Sequence, residues 1–393
     1  MLRRRVRGVN IYLRKYEDAF ARLFDVSHAF AFWKGRVALY AILKAMAVGP
    51  GDEVILPGYT CVMNVNPIKY LGAKPVYVDI EPDTFNINIE LLEEKISANT
   101  KVIIAQHTYG YPCRMDAIMS IADKRRIAVL EDCCLALGSK YKGKLVGTFG
   151  KAAYFSFQWN KPYTTGLGGM AITGDAKLAE RIESLRANEM CSPSRKEVMM
   201  LWAQLVAYKL FVYPRTTALA QSVFRYLTTK GAVVGSSSRA EFEPIMARDF
   251  FKDMSSLQAR LGFVRIQKIE QNISYRKKMA ELYDQLLEEK GWKARFYDRQ
   301  LSEPVMVRYP VRIAQKHRAL SEAARAGIEL GSWFECPLHP IETPLAVYDY
   351  EVGMCPEAEK ASNEVVNLPL HPRVDERTAK KTVEFVTSFT GVG

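Results

Sequence analysis

The sequence predicts an α/β fold: a large unit with a mostly parallel sheet, then a smaller C-terminal α/β unit. Two observations and one rule of sheet connection predict it. Between Gly35 and Thr173, apolar runs of strand length alternate with segments of helical period. Parallel strands need such crossovers, whereas a hairpin needs only a short turn. Asp79, His107 and Asp132 stand at or just beyond the carboxyl ends of three of these runs, where open parallel sheets bind ligands.

The elements follow in order. Leu13–Val26 has a helical pattern. Gly35 opens a second helix, which stops at Gly49-Pro50-Gly51 before the strand "EVILP". Helices over Val62–Tyr70, Ile89–Ile96 and Asp116–Lys124 lead to the strands "KPVYVDI", "KVIIAQ" and "IAVLED". "YKGKLVGTFGKAAYFSF" reads as a small hairpin and a strand, "GGMAIT" as the next strand, and "DAKLAERIESLRANE" as a charged amphipathic helix. Residues 196–246 form an apolar and aromatic insertion, two short helices broken at Pro214. Lys209 and Pro214-Arg215 interrupt it before it reaches the ~20 apolar residues of a membrane span. A core or dimer-interface role and a peripheral contact with an anionic membrane through residues 199–228 are its two readings. One long helix is expected from Met254 to Glu289, closed by Gly291. The strand "VMVRYPVRI", the helix "KHRALSEAARAGI", a strand near "LGSWF" and helices at 356–366 and 375–390 complete the chain. The domain boundary is placed at 250, giving units 1–250 and 251–393.

Composition narrows the function classes. Hydrophobic residues make up 48% and charged residues 25% of the 393, a globular balance that excludes a disordered chain. The net charge of +12 favours phosphorylated ligands, nucleic acid or an acidic membrane as partners. No nucleic-acid-binding motif interleaves basic and aromatic residues, so no nucleic acid partner is expected. The seven cysteines are odd in number and contain no C-x-x-C pair, which argues against a zinc site or a disulfide framework. The basic N-terminus lacks the apolar core of a signal peptide, and a reducing cytoplasm is the expected compartment.

Three features carry chemistry together: Asp132 in "EDCCLALG", Ser156 and Lys161 in "SFQWNK", and the helix-opening glycine Gly35 in "KGRVAL". A lysine amine can form a Schiff base with an aldehyde cofactor. Pyridoxal phosphate also needs a carboxylate at its ring nitrogen and backbone N–H groups for its phosphate. None of the three features is specific alone.

Their order and spacing resemble the DegT/DnrJ/EryC1/StrS family of pyridoxal-phosphate-dependent sugar aminotransferases, of aspartate-aminotransferase fold (fold type I). The similar segments include "GPGDEVILPGYTCVMNVNPIKYLGAKPVYVDIEPDTFNI", "TKVIIAQHTYGYPCRMDAI", "VLEDCCLALGSKYKGKLVGTFGKAAYFSFQWNKPYTTGLGGMAIT", "MSSLQARLGFVRIQKIE" and "CPLHP" with "LPLHP". They cover nearly the whole chain apart from the N-terminal arm and the insertion. The resemblance implies a seven-stranded, mostly parallel sheet and pyridoxal 5'-phosphate as cofactor. It makes Lys161 the Schiff-base lysine and proton carrier, Asp132 the partner of the pyridinium nitrogen, and Ser156, Gly35 and Arg36 the phosphate site. It places His107 and His339 at the substrate.

The chain departs from the family at several positions. Cys61 replaces an aromatic residue that stacks on the cofactor, so that Tyr59 or another aromatic substitutes for it or the ring is held less tightly. Leu135 replaces a glutamine at the cofactor's phenolic oxygen. Arg36 replaces a threonine, Pro162 an asparagine and Leu167 a glutamate. Phe251 replaces an asparagine that reaches the neighbouring subunit. The expected reaction moves an amino group from an amino acid, glutamate by expectation, to a keto sugar carried on a nucleotide, in a homodimer. A pyridoxal-phosphate-dependent lyase or dehydratase is the alternative within the fold, and a non-catalytic membrane-associated scaffold the alternative outside it. Lys161 argues against dehydratase members, which carry histidine there.

Overall fold

Seven strands make the central sheet, and the sequence explains most of their order. The structure, a computed structural model, describes residues 11–159, 161–211, 242–294, 297–340 and 344–389. The first helix, α1, spans Ile11–Phe24, and β1 spans His28–Phe32. Helix α2 (Gly35–Ala45) precedes β2 (Glu53–Pro57), the short β3 (Thr60–Cys61) and α3 (Val62–Tyr70). Then come β4 (Lys74–Val78), α4 (Ile89–Glu94), β5 (Thr100–Gln106), α5 (Met115–Arg125) and β6 (Ala128–Asp132). The hairpin β7 (Lys140–Tyr141) and β8 (Lys144–Leu145) leads to β9 (Ala152–Ser156), β10 (Gly169–Thr173) and α6 (Ala176–Glu189).

The sheet order is β1-β10-β9-β6-β5-β2-β4. The strands from β9 to β4 are mutually parallel, while β10 runs antiparallel to both β9 and β1. The carboxyl ends of β5, β6 and β9 therefore lie side by side, with Gln106 paired to Asp132 and Asp132 to Tyr154. Strand β1 was absent from the sequence expectation. Its five residues "HAFAF" become a strand through pairing with β10, from His28 opposite Thr173 to Phe32 opposite Gly169.

Two further expectations need correction. The helix expected over Met254–Glu289 is two helices, Ser256–Ile266 and Ile269–Glu289, with the turn at Gln267-Lys268. The first starts on a capping box, Ser255 with Gln258, and packs on α1, where Gly262 leaves room for the Tyr16 ring. The second turns away to carry Met279, Tyr283 and Leu287 into the core shared with the C-terminal strands. One straight helix could not serve both surfaces. The strand expected near "LGSWF" is reduced to a single bridge between Gly331 and Asn367. Beyond it the Trp333 N–H bonds the Asn367 side chain (2.8 Å), and the chain leaves the sheet.

In the C-terminal region β11 (Ser302–Glu303) joins β7, and β12 (Arg308–Arg312) pairs antiparallel with β14 (Val365–Pro369). Between them, β13 (Leu338–His339) pairs in parallel with β3, bringing His339 opposite Cys61. Helix α7 (Arg195–Phe211) and residues 242–246 are the described parts of the insertion. The expected break at Pro214 and the second helix lie outside the described residues.

Candidate active site

The site grows from the carboxyl ends of β6 and β9. Asp132 ends β6 and is buried, yet both carboxylate oxygens are engaged. Asn64 Nδ2 donates to Oδ2 at 2.7 Å, and the Cys134 N–H donates to Oδ1 at 2.9 Å. Asn64 is itself fixed, because the Tyr154 hydroxyl donates to its Oδ1 at 3.1 Å. Gln106 and Thr60 complete the network. A buried carboxylate held by hydrogen bonds to its charged form is suited to face a protonated ring nitrogen.

Ser156 ends β9 and touches the start of α2. A Cβ built on Gly35 would lie 2.9 Å from Ser156 Cβ and 3.1 Å from the Phe155 carbonyl. Gly169 closes the other side, since a Cβ there would lie 2.5 Å from Gly35 Cα. The residue before α2, Lys34, is extended and supplies no side-chain cap. Glycine at both contacts thus sets a helix N-terminus against a serine, the arrangement that binds a phosphate. Arg36 is 5% exposed on the first turn of the same helix.

Lys161 follows β9 in a loop tied back to the strand by Thr165 N–H to Phe157 O and Phe157 N–H to Gly168 O. Its Nζ lies 5.3 Å from the centroid of the Trp333 ring. Arg308 stacks on that indole as well, at 4.8 Å. Among the described residues no carboxylate comes within ion-pair distance of the Lys161 amine. Burial pushes the Cys61 thiol up, Arg36 and Lys161 pull it down, and Asp132 pushes it up again. Cys134 is likewise raised by burial and Asp132 and lowered by Lys161. Charges from α2, β6 and the Lys161 loop therefore converge on one neighbourhood, with Cys61 and Cys134 among them.

The other expected residues divide. Leu135 is buried beside Asp132 and offers no hydrogen bond. His339 is half-buried, leans on Phe334 (5.4 Å) and adjoins Cys61, and burial lowers its pKa to about 4. Two expectations fail. Tyr59 does not reach a cofactor face: it is fully enclosed by Phe85, Tyr109 and Phe334, its hydroxyl 2.8 Å from that of Tyr109. His107 does not reach substrate: it is 0% exposed, its Nδ1 accepts the Cys113 N–H, and its Nε2 faces Glu131. Glu131 also accepts the Gly147, Phe149 and Gly150 N–H groups, so the pair ties the loop before β9 to the ends of β5 and β6. Asp79 caps the helix Pro356–Glu364, accepting the Glu357 and Ala358 N–H groups.

The departures have local causes. Leu167 is wholly buried with Trp33, Trp159 and Leu201 of α7. The insertion supplies the apolar cover under which a glutamate would be desolvated. Phe251 packs on Phe32 and Tyr40. Asn64, Tyr154, Arg308 and Trp333 were missed by sequence reasoning. Asn64 sits four residues after Thr60 on a helix whose apolar residues show no one-sided pattern, and only the fold brings Trp333 to Lys161.

The sequence profile of the DegT/DnrJ/EryC1/StrS aminotransferase family matches residues 8–387. The chain belongs to this family. It is 30% identical to the GDP-perosamine synthase of Caulobacter vibrioides over 386 residues, covering 96% of this chain and 90% of that one. It is 46% identical to the GDP-perosamine synthase of Escherichia coli O157:H7 over 170 residues, a match spanning 43% of this chain and 47% of the relative. Its fold matches DesV of S. venezuelae, solved in complex with a ketimine intermediate, with a TM-score of 0.75 at 24% identity, covering 97% of this chain and 89% of that one. The DegT/DnrJ/EryC1/StrS family implies dependence on pyridoxal phosphate, and the residues present fit that group. The Gly35–Ser156–Gly169 cradle has room only for backbone, Asp132 is a buried acceptor, and among the described residues no carboxylate pairs with Lys161.

Proposed function

We propose that this sugar aminotransferase moves an amino group from glutamate to a keto sugar carried on a nucleotide, as a cytoplasmic homodimer with reciprocal interface contacts. The observation that carries the reading is the convergence of Asp132, the Gly35–Ser156 cradle and Lys161 at adjoining strand ends. The relatives named GDP-perosamine synthase support a nucleotide-carried sugar as acceptor.

When bound, pyridoxal phosphate supplies an electrophilic aldehyde and an electron-accepting ring. Asp132 would hold the proton on the ring nitrogen, its orientation set by Asn64 and the Cys134 N–H. The first N–H groups of α2, Ser156 and Arg36 would hold the phosphate. The Lys161 amine would take the proton from the donor's Cα and pass it to the cofactor's C4′ carbon, and would carry a proton from that carbon to the acceptor carbon in the second half-reaction. Leu167, Trp33 and Trp159 exclude water from the far side of the Lys161 loop.

Borohydride reduction should fix the cofactor to the peptide containing Lys161. Lys161→Ala should lower amine exchange with glutamate by about 10³-fold or more. A panel of nucleotide-linked keto sugars offered to the aminated enzyme identifies the acceptor. Full cofactor incorporation with no exchange on any amino donor would sink the reading in favour of a scaffold.

A further inference from the structure

Helix α7 has two faces of different fate. Leu201 and Leu205 pack against Trp159, Leu167 and Gly166, beside the Lys161 loop, and Tyr208 lies 5.1 Å from Trp159. The other face is apolar yet exposed: Met199 is 70%, Trp202 57% and Leu210 64% accessible, with Val206 between them. At about 100° per residue these four side chains fall within about 80° of one another. Large hydrophobic groups in one exposed stripe mark an interaction surface.

The charge around the stripe selects the partner. Arg195, Lys196 and Lys209 are exposed on the same helix, with Lys196 and Lys209 on opposite flanks of the stripe. The helix's single acid, Glu197, is taken up by Lys252 (2.6 Å) and by Ser194. From Val198 to Ala240 the sequence has five basic residues and no Asp or Glu. An apolar face flanked on its own helix by exposed cations complements a surface that is apolar beneath and anionic above. Among the described residues no helix is long and apolar enough to cross a membrane, so the contact is peripheral.

We propose that the outer face of α7, centred on Met199, Trp202, Val206 and Leu210, docks the enzyme on an anionic lipid surface. Docking holds the Lys161 loop next to that surface, because the inner face of the same helix packs on Gly166 and Leu167.

The test floats the cofactor-loaded full chain with phosphatidylcholine vesicles, with or without about one third phosphatidylglycerol. Recovery should require the anionic lipid. It should fall about tenfold when salt rises from ~0.1 to ~0.5 M, and as far when Met199, Trp202, Val206 and Leu210 are all changed to Ser. Retained visible absorbance shows that the fourfold variant is folded. Lys209→Glu, a single exposed charge reversal, should also lower recovery and stands in if that variant misfolds. Equal recovery on neutral vesicles, or unchanged recovery of both variants, overturns the proposal. So does a fall in the variant's assembly mass by light scattering without vesicles, which would make the face a contact between copies. Flotation needs no turnover, so its outcome is independent of the aminotransferase reading.

Discussion

Asp132 shows how residues far away in sequence orient one buried carboxylate. Its two oxygens are aimed by Asn64 and by the Cys134 N–H, and Asn64 is aimed by Tyr154. Asn64→Ala removes the amide donor to the Asp132 carboxylate and the acceptor of the Tyr154 hydroxyl. We expect cofactor binding to weaken about tenfold, read from visible absorbance on titration with pyridoxal phosphate. Unchanged affinity would mean that Asn64 serves only the fold. A second residue-scale prediction concerns His339, whose pKa burial lowers from 6.5 to about 4. As pH falls the unfolded chain binds this proton first, so unfolding gains from acid while the folded ring resists it. The stability is fully present above pH 6.5 and is lost as pH falls towards 4, by on the order of 3 kcal/mol. His339→Gln should flatten the denaturation midpoint between those pH values, and an unaltered slope would assign the acid sensitivity elsewhere.

At the scale of elements, the proposed phosphate cradle depends on how closely α2 approaches β9 and β10. Gly35 and Gly169 are packed until no Cβ fits. Gly35→Ala should therefore push the first turn of α2 away from Ser156. The expected cost is about 1–3 kcal/mol in folding, from overpacking, with weaker retention of the cofactor on dialysis than in the parent. A variant that keeps its cofactor as firmly as the parent would show that the phosphate sits elsewhere. The parallel strands were legible because each apolar run is buried on both faces and bounded by glycine or helix. Lys161, Asp132 and Ser156 were legible as a set because they end or follow neighbouring strands. β1 was not, since pairing with β10 creates it. Leu167 was visible only as a departure, and α7 explains it: the inserted helix converts that point of the loop into an apolar contact. Asn64 and Trp333 were illegible because each reaches the site from an element whose orientation only the whole fold decides.

On the scale of the whole molecule, the C-terminal region is bolted to the carboxyl end of the sheet at several places, two of which adjoin the candidate site. At one, β13 pairs with β3, with the Thr60 N–H also on the Pro337 carbonyl. At the other, the Val307 N–H bonds the Tyr109 carbonyl, and Ser139 Oγ accepts the Val305 N–H while donating to the Gly110 carbonyl. Arg276, fully enclosed on the helix Ile269–Glu289, donates to the Met306 and Val307 carbonyls and steadies the same segment. The Tyr109 hydroxyl bonds the Trp333 carbonyl, so this second bolt also fixes the indole that covers Lys161. Gly110 is its tightest point. Its φ is +111°, and a Cβ there would lie 2.4 Å from the Val305 carbonyl and 2.8 Å from Met306 Cα. Gly110→Ala must therefore both strain the backbone and part the two chains. The expected cost is about 3 kcal/mol or more in chemical denaturation. Because Trp333 moves with the bolt, the tryptophan fluorescence of the folded variant should shift even where the population is fully native. Loss of stability without that shift would confine the bolt's role to holding the halves together, and an unchanged midpoint would remove it from the account of the fold.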